Sequence, residues 1–548
     1  MMGSSRMFMA LALVGCLIAS AAAAPISAPD RNTLASLKLK GMLTFDDTTA
    51  CSANPDIVSA GVVYPASVED IATIVRAVAS SDSDLTVAAR GLGHNIRGRS
   101  QAQNGIIVEM TSLKGIKVAP LGDAASNGVP FVEAMGGEMW VDVLKTSLEY
   151  GLAPKSWTDY LYLTVGGTLS NAGVSGQTFR HGAQVSNVMQ LEVVTGKGEV
   201  VECSATKNSE LFFAALGGLG QFGIITRARI VLETAPQRVR WMRAMYTDFA
   251  TFKADQELLI SSSQAFDYVE GFVVMNNENA VNGWGSVPFV RSDINKAMIP
   301  ATAGSVMYCL EVTKAYFVAD LESVDETVEA MLAPLSFDRD LMFKTDTTYF
   351  KFLDRVHETE MGFKATASGD MLATEWTMPN ACHWTMAHAC HWTMPHPLLS
   401  IFVPASAIEQ FDKLVFKRLG STEFNGPTLV YPMNKSKWDR RMSVAVPEGS
   451  DEVFYMVSFL SNKAPEGAAL TKMLADNGSI LRIAQQLGCK QYLPKHSDIT
   501  QWRRHFGSKW ESFVQNKQTF DPEAILAPGQ NLFRSGSHIN KYIRMVKN

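Results

Sequence analysis

Residues 89–100 read "ARGLGHNIRGRS" and begin at the end of an apolar run, "LTVAA", at residues 85–89. The run predicts a strand, and the glycines predict a turn in which Gly91 and Gly93 come just before His94. Two interpretations fit this pattern. His94 is a polar turn residue, or the backbone N–H groups of the loop approach an anionic ligand while the imidazole contacts or bonds to it. The rest of the chain decides between them.

The composition predicts a folded protein of more than one domain. A chain of 548 residues is too long for one ordinary core. Apolar residues make up 47% of it and charged residues 19%, which is typical of globular proteins. The formal net charge is −5 and no long basic run occurs, so a nucleic-acid partner is not expected.

The first 24 residues predict a secretory signal peptide. Arg6 precedes an apolar run at residues 7–19, and small residues follow, with a cleavage site expected near residues 22–24. The alternative is a membrane anchor, but the run is short for one and gives way to alanines and Pro25. No other stretch approaches the about 20 apolar residues that cross a bilayer. We therefore expect a secreted, extracellular protein without a membrane span.

Cysteines and glycosylation sequons fit an oxidising compartment. The cysteines are too scattered for a disulfide scaffold, although one or two bridges are compatible with their number. Two N-x-[ST] triplets, at Asn434 and Asn477, predict a glycoprotein if the chain is secreted. The cysteines after the predicted signal peptide are Cys51, Cys203, Cys309, Cys382, Cys390 and Cys489.

The pattern up to residue 236 predicts an α+β unit. "AGVVYPAS" and "LTVAAR" predict strands, and "VEDIATIVRAVASS" between them predicts a helix. "MQLEVVTGKGEVVEC", residues 189–203, predicts a hairpin that turns at Gly196 and Gly198. Residues 237–488 predict a second α+β unit with strands in "DYVEGFVVMN" and "SVMYCLEVTKAYF". Residues 507–533 predict a helix followed by a turn rich in proline and glycine.

Residues 375–397 contain three W-T-M units whose tryptophans, Trp376, Trp384 and Trp392, stand eight apart. Cysteines and histidines crowd these units, which raises the hypothesis of a zinc site. The alternative is tandem duplication, which multiplies such residues without selecting them as ligands. Because the units are nearly identical, we interpret residues 376–391 as a duplicated loop insertion and predict no metal.

A G-x-G-x-x-G occurs in "GGLGQFG", residues 217–223. A dinucleotide-binding Rossmann unit places such glycines after a strand and before a helix, whereas here a predicted helix precedes and a strand follows. The NAD hypothesis therefore fails on context. Glycines and hydroxyl residues in "VGGTLSNAGVSGQTFRHG", residues 165–182, suit a pyrophosphate instead, without the G-K-[ST] of a Walker loop.

Six motifs in order along the chain resemble those of the plant cytokinin oxidase/dehydrogenase family. They are GLGH (91–94), WTDYLYLTVGGTLSNAGVSGQTFRHG (157–182), FDYVEGFV (266–273), GPTLVYPMNKSKWD (426–439), KQYLP (490–494) and HFGSKW…FDPEAILAPGQNLF (505–533). The resemblance implies an α+β, two-domain FAD-linked oxidase, with a vanillyl-alcohol-oxidase-like FAD domain and a substrate-binding domain. It assigns residues 25–236 and 490–548 to the FAD domain and residues 237–489 to the cytokinin-binding domain.

The resemblance further implies FAD joined covalently to His94, which fixes the isoalloxazine and makes it a stronger oxidant. No cysteine lies between Cys51 and Cys203, so a second link of the kind found in some related flavoproteins is not expected. Asn95 stands where the family usually has serine, and Arg99 where it usually has glutamine. FAD is expected to contact Gly91, Leu92, Gly93, Asn95, Arg99, Asp159, Thr164, Ser170, Val174, Ile224, Tyr492, Ala527 and Gln530.

The resemblance implies that Asp159, in "SWTDYL", is the catalytic base. Its aromatic neighbours would desolvate the carboxylate and make it a better base. It would bind the exocyclic amine of an N6-isopentenyladenine-type cytokinin while the adjacent carbon gives a hydride to flavin N5. The resulting imine would hydrolyse to adenine and an unsaturated aldehyde.

Three further residues are expected to bind substrate: Glu270, Leu398 and Leu493. Glu270 matches a purine anchor at the mouth of the pocket. Leu398 and Ser400 stand where the family usually has tryptophan and asparagine, and that tryptophan walls the substrate tunnel. The tunnel of this chain is therefore expected to differ.

The sequence thus predicts a monomeric FAD-dependent cytokinin dehydrogenase with a quinone or oxygen as electron acceptor. Two alternatives stay open at this point. One is a covalent flavin oxidase of another amine or alcohol, with a tunnel reshaped around Leu398. The other is a non-catalytic protein that binds flavin or cytokinin, against which the presence of both His94 and Asp159 argues.

Overall fold

The structure is a computed structural model that describes residues 27–45, 57, 59–94, 98–124, 128–262, 266–275, 304–367, 398–419, 428–460 and 467–533. Three β-sheets organise these residues: one of four strands, one of six and one of eight. The strands are β1 (Met42–Thr44), β2 (Gly61–Tyr64), β3 (Val87–Arg90), β4 (Ile106–Glu109), β5 (Ile116–Ala119), β6 (Phe131–Met135), β7 (Leu152–Pro154), β8 (Val188–Thr195), β9 (Val200–Ser204), β10 (Gly223–Thr234), β11 (Arg238–Tyr246), β12 (Tyr268–Met275), β13 (Val306–Tyr316), β14 (Met342–Thr348), β15 (Leu399–Pro404), β16 (Thr428–Asn434), β17 (Val453–Phe459) and β18 (Lys490–Tyr492).

Helices cover the sheets. The α-helices are α1 (Ala28–Ala35), α2 (Val68–Ala79), α3 (Trp140–Leu148), α4 (Val165–Leu169), α5 (Thr178–His181), α6 (Ser209–Ala215), α7 (Phe249–Ser261), α8 (Val324–Leu332), α9 (Tyr349–Ala367), α10 (Ile408–Phe411), α11 (Lys417–Leu419), α12 (Gly467–Gln486), α13 (Ile499–Phe506) and α14 (Trp510–Phe520). A π-helical segment, Asp412–Phe416, joins α10 to α11. Short 3₁₀ turns lie at Met110–Ser112, Gln184–Asn187, Val318–Asp320, Arg339–Leu341, Lys435–Lys437, Gly507–Lys509 and Pro528–Gln530.

The four-stranded sheet has the order β1-β2-β4-β3, with β2, β4 and β3 parallel and β1 antiparallel to β2. Helix α2 packs one apolar face against it, including Ile71 and Val75. Ser67 and Asp70 form a capping box at the start of this helix, which satisfies N–H groups that a helix leaves without partners. The strand-helix-strand unit predicted around this segment is confirmed.

The six-stranded sheet is antiparallel and has the order β5-β6-β10-β8-β9, with β7 also paired to β10. Strands β8 and β9 form the predicted hairpin. The sequence "GGLGQFG" lies between helix α6 and strand β10, so its order is the reverse of a Rossmann unit. The structure therefore confirms the rejection of the NAD hypothesis.

The eight-stranded sheet is antiparallel and has the order β14-β11-β13-β12-β16-β17-β15-β18. One face, with Val269 and Val430, packs against apolar residues of α7, α8 and α12. The other, with Tyr268 and Tyr431, belongs to the same core as Trp157 of the first unit. The large sheet therefore meets the FAD-side segments through a continuous core.

The segment after residue 490 returns to the first unit. Strand β18, which the sequence groups with the FAD domain, is an edge strand of the large sheet. Farther along, Leu526 forms a parallel bridge with Val87, at the free edge of β3. The chain therefore joins both units in turn: residues 490–492, predicted to belong to the FAD domain, pair with the large sheet, and the return to the first unit comes farther along, at Leu526.

Several predictions from the sequence concern residues outside the described ranges. The signal peptide at residues 1–24, the duplicated segment at 376–391, Cys51, Cys382 and Cys390 are among them. Of the described cysteines, Cys203, Cys309 and Cys489 form no disulfide with one another. No helix in the described ranges combines the length and apolarity needed to cross a membrane.

Both glycosylation sequons lie on regular secondary structure. The Asn434 amide donates hydrogen bonds to the carbonyls of Phe179 and Ile260, at 3.0 and 3.2 Å. Asn477 lies on α12 and is 5% exposed. Asn434 is half-buried and Asn477 is buried, and glycosylation at either residue stays a prediction.

Candidate active site

The loop after β3 lies directly against the second glycine-rich motif. A Cβ atom on Gly91 would come 2.4 Å from Thr164 Oγ1, so only glycine permits this approach. Gly93 has a φ of 72°, a left-handed conformation that glycine adopts at little cost. Two segments more than 60 residues apart, each predicted to bind the cofactor, therefore meet at this point.

Residues around α4 connect this contact to the "GGLGQFG" segment. Thr164 is the N-cap residue of α4 and is 5% exposed, and Ser170 ends the helix with its hydroxyl donated to the Gly166 carbonyl at 2.7 Å. The N–H of Leu219 donates to the Ser170 carbonyl at 2.8 Å. The predicted residues Leu92, Val174 and Ile224 belong to this region, with Val174 and Ile224 buried; Asn95 is outside the described residues.

The returning C-terminal segment contributes side chains to the same region. The Arg99 guanidinium donates to the Leu493 carbonyl, with Nη2 2.5 Å from the oxygen. The Tyr492 hydroxyl accepts a hydrogen bond of 3.2 Å from the N–H of Gly173, and its ring stacks on Phe402 with centroids 5.0 Å apart. Burial raises the pKa of Tyr492, so this hydroxyl stays neutral.

The last turn of the described chain packs on the first loop. The Ala527 N–H donates to the Val87 carbonyl at 3.0 Å. A Cβ on Gly529 would come 2.2 Å from the Gly98 carbonyl oxygen, so the backbones are nearly in contact. The predicted cofactor residue Gln530 lies in this turn and is 4% exposed. The structure thus brings the predicted C-terminal and N-terminal cofactor residues together.

The residues present fit the predicted FAD. Within the described part of the chain, Gln530 Oε1 and Asn171 Oδ1 are buried and make no hydrogen bond to protein, so both can bind polar groups of a ligand. Glycine at position 91 keeps the two loops close, and glycine at 93 gives the turn its conformation. This combination of backbone and amide groups suits a nucleotide with a pyrophosphate.

His94 lies one aromatic ring away from the predicted base. Its imidazole meets the ring of Tyr160 edge to face, with centroids 5.4 Å apart. Tyr160 directly follows Asp159 in sequence and also contacts Tyr162, with centroids 5.8 Å apart. The histidine predicted to carry the cofactor and the predicted catalytic carboxylate therefore lie on the same side of the molecule.

Three hydroxyl groups surround the Asp159 carboxylate. Ser175 Oγ lies 2.6 Å from Oδ1, and the Tyr431 hydroxyl lies 2.5 Å from Oδ2. The Tyr268 hydroxyl is farther away, 3.5 Å from Oδ1. Asp159 itself is partly exposed, whereas Tyr268 and Tyr431 are each 1% exposed. The carboxylate is thus held in one orientation, and the residue as a whole keeps some exposed surface.

Desolvation by the surrounding protein raises the pKa of Asp159, while the positive charge of Arg355 and the hydrogen bonds from Ser175 and Tyr431 lower it. A carboxylate with a raised pKa is a stronger base than one in water. Burial also raises the pKa of Tyr431 well above its usual value, so this residue donates a hydrogen bond without losing its proton. The arrangement can accept a proton from a bound ligand.

The sequence predicted Glu270 at the mouth of a pocket, but the structure places it elsewhere. It is 1% exposed, accepts a short hydrogen bond from Tyr268, and its Oε2 is 3.3 Å from Arg355 Nη2. Burial and the charges of Glu311 and Asp159 raise its pKa to about 8. The expected location is therefore corrected to the interior, next to the Asp159 site, and the role of Glu270 in substrate binding stays a prediction.

The other two predicted substrate residues lie at the edges of the region. Leu398 is partly exposed and directly precedes β15. Leu493 has a φ of 53°, an uncommon conformation for a branched residue, and lines a small cavity with Tyr492 and Phe402. The described residues contain no group of three or more metal-ligating side chains.

Sequence reasoning missed Ser175, Tyr268, Arg355 and Tyr431. Tyr268 could have been found, because it stands two residues before Glu270 in a strand and must share its face. Arg355 carried no such signal, since a single arginine on a long helix usually faces water.

Comparisons with known proteins bear on the whole chain. A family model described as "Cytokinin dehydrogenase 1, FAD and cytokinin binding" matches residues 236–376 and 383–533, and a model described as "FAD binding domain" matches residues 59–204. Cytokinin dehydrogenase 9 of Oryza sativa subsp. japonica is 46% identical over 518 residues, which cover 92% of this chain and 93% of that protein. Cytokinin dehydrogenase 1 of Arabidopsis thaliana is 41% identical over 528 residues, covering 94% and 87%.

A solved structure supports the architecture. The crystal structure of a VAO-type flavoprotein from Myceliophthora thermophila C1 is similar with a TM-score of 0.59 and 14% identity, over 85% of this chain and 78% of that one. At this identity the likeness concerns the fold. Together with the FAD-domain match, it confirms the predicted α+β, two-domain FAD-linked oxidase fold.

Proposed function

The chain belongs to the cytokinin dehydrogenase family, and from this premise we propose a role for each side chain around Asp159. The protein is an FAD-dependent oxidoreductase that degrades cytokinins. Asp159 is the base that takes the proton of the substrate amine. The observation that carries this assignment is a partly exposed carboxylate held by Ser175 and Tyr431, at 2.6 and 2.5 Å, with a raised pKa.

The reaction on an N6-isopentenyladenine-type cytokinin removes a hydride from the carbon beside the amine nitrogen. When bound, FAD accepts that hydride. Asp159 accepts the amine proton as the carbon-nitrogen double bond forms, and water then splits the imine into adenine and an unsaturated aldehyde. Ser175 and Tyr431 keep the carboxylate oriented, which a general base needs during proton transfer.

His94 is the attachment point of FAD. The imidazole follows a loop whose glycines permit the close contact with Thr164, and Tyr160 packs on it next to Asp159. Attachment at this residue would hold the cofactor beside the carboxylate permanently.

Anaerobic reduction tests the proposed reaction. Wild-type holoenzyme mixed with N6-isopentenyladenine should lose its oxidised flavin absorbance, and adenine should appear in equal amount. Adenine without the side chain is the matched control and should leave the flavin oxidised. If isopentenyladenine leaves the flavin oxidised, the proposed substrate class is wrong.

Acid denaturation tests the attachment. Denatured wild-type protein should remain yellow after precipitation, and His94→Ala should release its flavin or fail to retain it. Tyr160→Phe changes the neighbouring ring but leaves the imidazole, so it should stay yellow. Free FAD in the supernatant of denatured wild type would contradict the covalent link.

Secretion and the electron acceptor are further proposals. The order of basic, apolar and small residues in the first 24 positions supports export to the extracellular space. Expression with and without residues 1–24, followed by assay of medium and cell fractions, tests this. Rates with a quinone and with oxygen as sole acceptor would decide between the two, and gel filtration would test the expected monomer.

A further inference from the structure

A row of charged side chains crosses three strands of the large sheet. Glu270 on β12 lies directly opposite Glu311 on β13, and Glu311 lies directly opposite Arg243 on β11. Like charges in directly opposed positions destabilise a sheet. Glu270 and Glu311 are 1% and 0% exposed, so water does not screen their repulsion. Another positive charge is therefore needed beside the two glutamates.

Arg355 supplies that charge from helix α9. Its Nη2 is 3.3 Å from Glu270 Oε2, and its Nε is 3.7 Å from Glu311 Oε1. Glu311 is also bound by Arg243, with Nε 2.5 Å from Oε2. The guanidinium of Arg355 thus bridges the two opposed carboxylates, while Arg243 pairs with only one of them.

Packing fixes the position of Arg355. It is 4% exposed, and its guanidinium carbon lies 4.4 Å from the centroid of Phe352 and 5.0 Å from that of Tyr268. At the start of α9, the Tyr349 hydroxyl accepts a hydrogen bond of 3.2 Å from Trp157 Nε1. Trp157 is two residues before Asp159, so the helix that carries Arg355 is attached to the segment that carries the base.

The Tyr268 hydroxyl connects the bridge to Asp159. It accepts a hydrogen bond from Arg355 Nη2 and donates one to Glu270, and its oxygen is 3.5 Å from Asp159 Oδ1. A tyrosine hydroxyl has one proton to donate, so it cannot serve both carboxylates fully. Because Arg355 lies beside Glu270, the Tyr268 hydroxyl donates its proton to Glu270. The hydrogen bonds to Asp159 then come from Ser175 and Tyr431.

Within the described part of the chain, the charged and titratable groups around Asp159 come from five elements. They are Tyr268 and Glu270 on β12, Glu311 on β13, Tyr431 on β16, Tyr492 on β18 and Arg355 on α9. Burial raises the pKa of all three tyrosines above its ordinary value, so they stay neutral at physiological pH. The carboxyl groups and the arginine therefore determine the electrostatics of Asp159. We call Asp159, Glu270, Glu311, Arg243 and Arg355 the charge cluster.

We propose that Arg355 is a positioning residue of the dehydrogenase: it holds Glu270 and Glu311 side by side and thereby keeps Asp159 ionised for proton abstraction. This inference rests on the proposed role of Asp159 as base. Arg355 is the only cation of the charge cluster in contact with the Tyr268 hydroxyl among the described residues. Without it, the three carboxyl groups would have only the guanidinium of Arg243 beside them, and the protonated form of Asp159 would be favoured.

The pH dependence of anaerobic flavin reduction by isopentenyladenine tests this role. In Arg355→Met, the acidic limb of the profile should move to higher pH by about one unit or more, as expected for loss of a nearby opposite charge. A shift of one unit lowers the rate about 10-fold at a pH below the limb. Arg355→Lys keeps the charge and should restore most of the wild-type profile.

Removal of a negative charge should have the opposite effect. Glu311→Gln should move the same limb to lower pH, and Arg355→Met/Glu311→Gln should bring it back toward the wild-type position. A merely structural role would lower the rate in both single variants without opposed shifts. Arg441→Met, which removes an exposed guanidinium paired with Asp439 at 2.6 Å, is the matched control and should not move the limb.

Flavin content and thermal unfolding show which variants fold. If Arg355→Met does not fold, Tyr268→Phe keeps the ring and removes the hydroxyl, and it should still shift the limb upward, by less than one unit. The proposal is wrong if Arg355→Met folds and its acidic limb does not move. If Arg355→Met does not fold, the proposal is wrong when Tyr268→Phe folds and its acidic limb does not move. If Asp159→Asn instead keeps the wild-type reduction rate, the proposed base itself is wrong, which is a separate failure.

Discussion

Two buried ionic sites, the charge cluster and a pair formed by Lys517 and Asp521, differ in their balance of charge. Lys517 Nζ lies 2.6 Å from Asp521 Oδ2 and 3.0 Å from both the carbonyl and the side-chain oxygen of Gln221, and both ionised residues are 0% exposed. Asp521 in turn accepts hydrogen bonds from the N–H groups of Ile525 and Leu526, at 3.1 and 2.9 Å. The pair thus has one cation for one anion, and the charged groups of both residues make hydrogen bonds to protein atoms.

The charge cluster has three carboxylates and two guanidiniums, and one of its carboxylates, Asp159, keeps accessible surface. Burial and the neighbouring carboxyl groups raise the pKa of Glu270 to about 8, so the surplus carboxyl group allows the cluster to hold a proton. Buried ionisable groups of this kind usually carry a cost in stability. The Lys517–Asp521 pair has no such excess and lies where the C-terminal segment returns to Gln221 and Val87. A pair with one cation for one carboxylate thus serves the attachment of that segment, and a cluster with a surplus carboxyl group serves proton transfer.

The largest expected effect comes from Asp159→Asn. An amide cannot accept the amine proton, so flavin reduction by isopentenyladenine should slow by about 10²–10⁴-fold, while FAD stays bound and oxidised. Stopped-flow measurement of the reductive half-reaction separates this from any change in the electron acceptor. A reduction rate within about threefold of wild type would remove Asp159 from the mechanism and the charge cluster from its catalytic role.

Lys517→Met should act on stability instead. It leaves Asp521 buried without its cation, which typically costs about 3–5 kcal/mol in the free energy of unfolding. The reduction rate per bound flavin should not change, since Lys517 has no contact with the charge cluster. Denaturant unfolding of the holoenzyme and stopped-flow reduction measure the two quantities.

Lys472→Met is the matched control. Lys472 and Asp476 have the same spacing on a helix as Lys517 and Asp521, with Nζ 3.4 Å from the carboxylate, but their side chains are 59% and 31% exposed. An exposed pair of this kind is worth about 0.3–0.5 kcal/mol. If Lys517→Met and Lys472→Met lose the same amount of unfolding free energy, burial does not determine the contribution of these ion pairs to stability.

The two regions should also respond oppositely to pH. Burial lowers the pKa of His496, near the C-terminal return, from 6.5 to about 4, so the stability it contributes is present above 6.5 and is lost as the pH falls toward 4. Glu270 has its pKa raised from 4.5 to about 8, so its contribution is present below 4.5 and is lost as the pH rises through 8. At about 1.36 kcal/mol per pKa unit, these shifts correspond to roughly 3–5 kcal/mol each.

Unfolding free energies at a series of pH values check these slopes. His496→Gln should reduce the loss of stability between pH 6.5 and 4, and Glu270→Gln should reduce the loss between pH 4.5 and 8. If the slope of unfolding free energy against pH does not change in these variants, other groups cause the pH dependence.

The smallest effect concerns backbone strain. Of the seven described non-glycine residues with positive φ, four lie in the returning segment: Leu493, Ala524, Ala527 and Asn531. Ala524 has a φ of 53°, and the left-handed conformation costs alanine about 1–2 kcal/mol. Ala524→Gly relieves that cost but adds chain entropy of about 0.5–1 kcal/mol, so a net gain of up to about 1 kcal/mol is expected. A loss of more than about 1 kcal/mol in denaturant unfolding would contradict it.

The backbone of the loop predicted to bind the cofactor follows from the sequence. Glycines at 91 and 93 require close backbone approach and a left-handed turn, and the structure shows both at those residues. The reversed order of helix and strand around "GGLGQFG" was also predicted, because local periodicity determines both elements.

The charge cluster was not predictable in the same way. Glu270, Glu311 and Arg243 come from three strands, and only the register of the sheet makes them neighbours. The pairing of Arg355 with Glu270 further depends on how α9 packs on Trp241 and Tyr268, which no local pattern encodes. This is also why Glu270 was expected at the mouth of the substrate pocket and lies in the interior.

The bridge between Val87 and Leu526 has a consequence for how the chain is made. Strand β3 is the edge of its sheet, and among the described residues the outer backbone groups of its Val87 pair with Ile525 and Ala527, roughly 440 residues later. At translation rates of about 5–20 residues per second, that edge stays uncovered for about 20–90 s while the ribosome completes the chain. An uncovered strand edge is a template for pairing with other chains, so the return of the C-terminal segment also protects β3 from such pairing once the chain is complete.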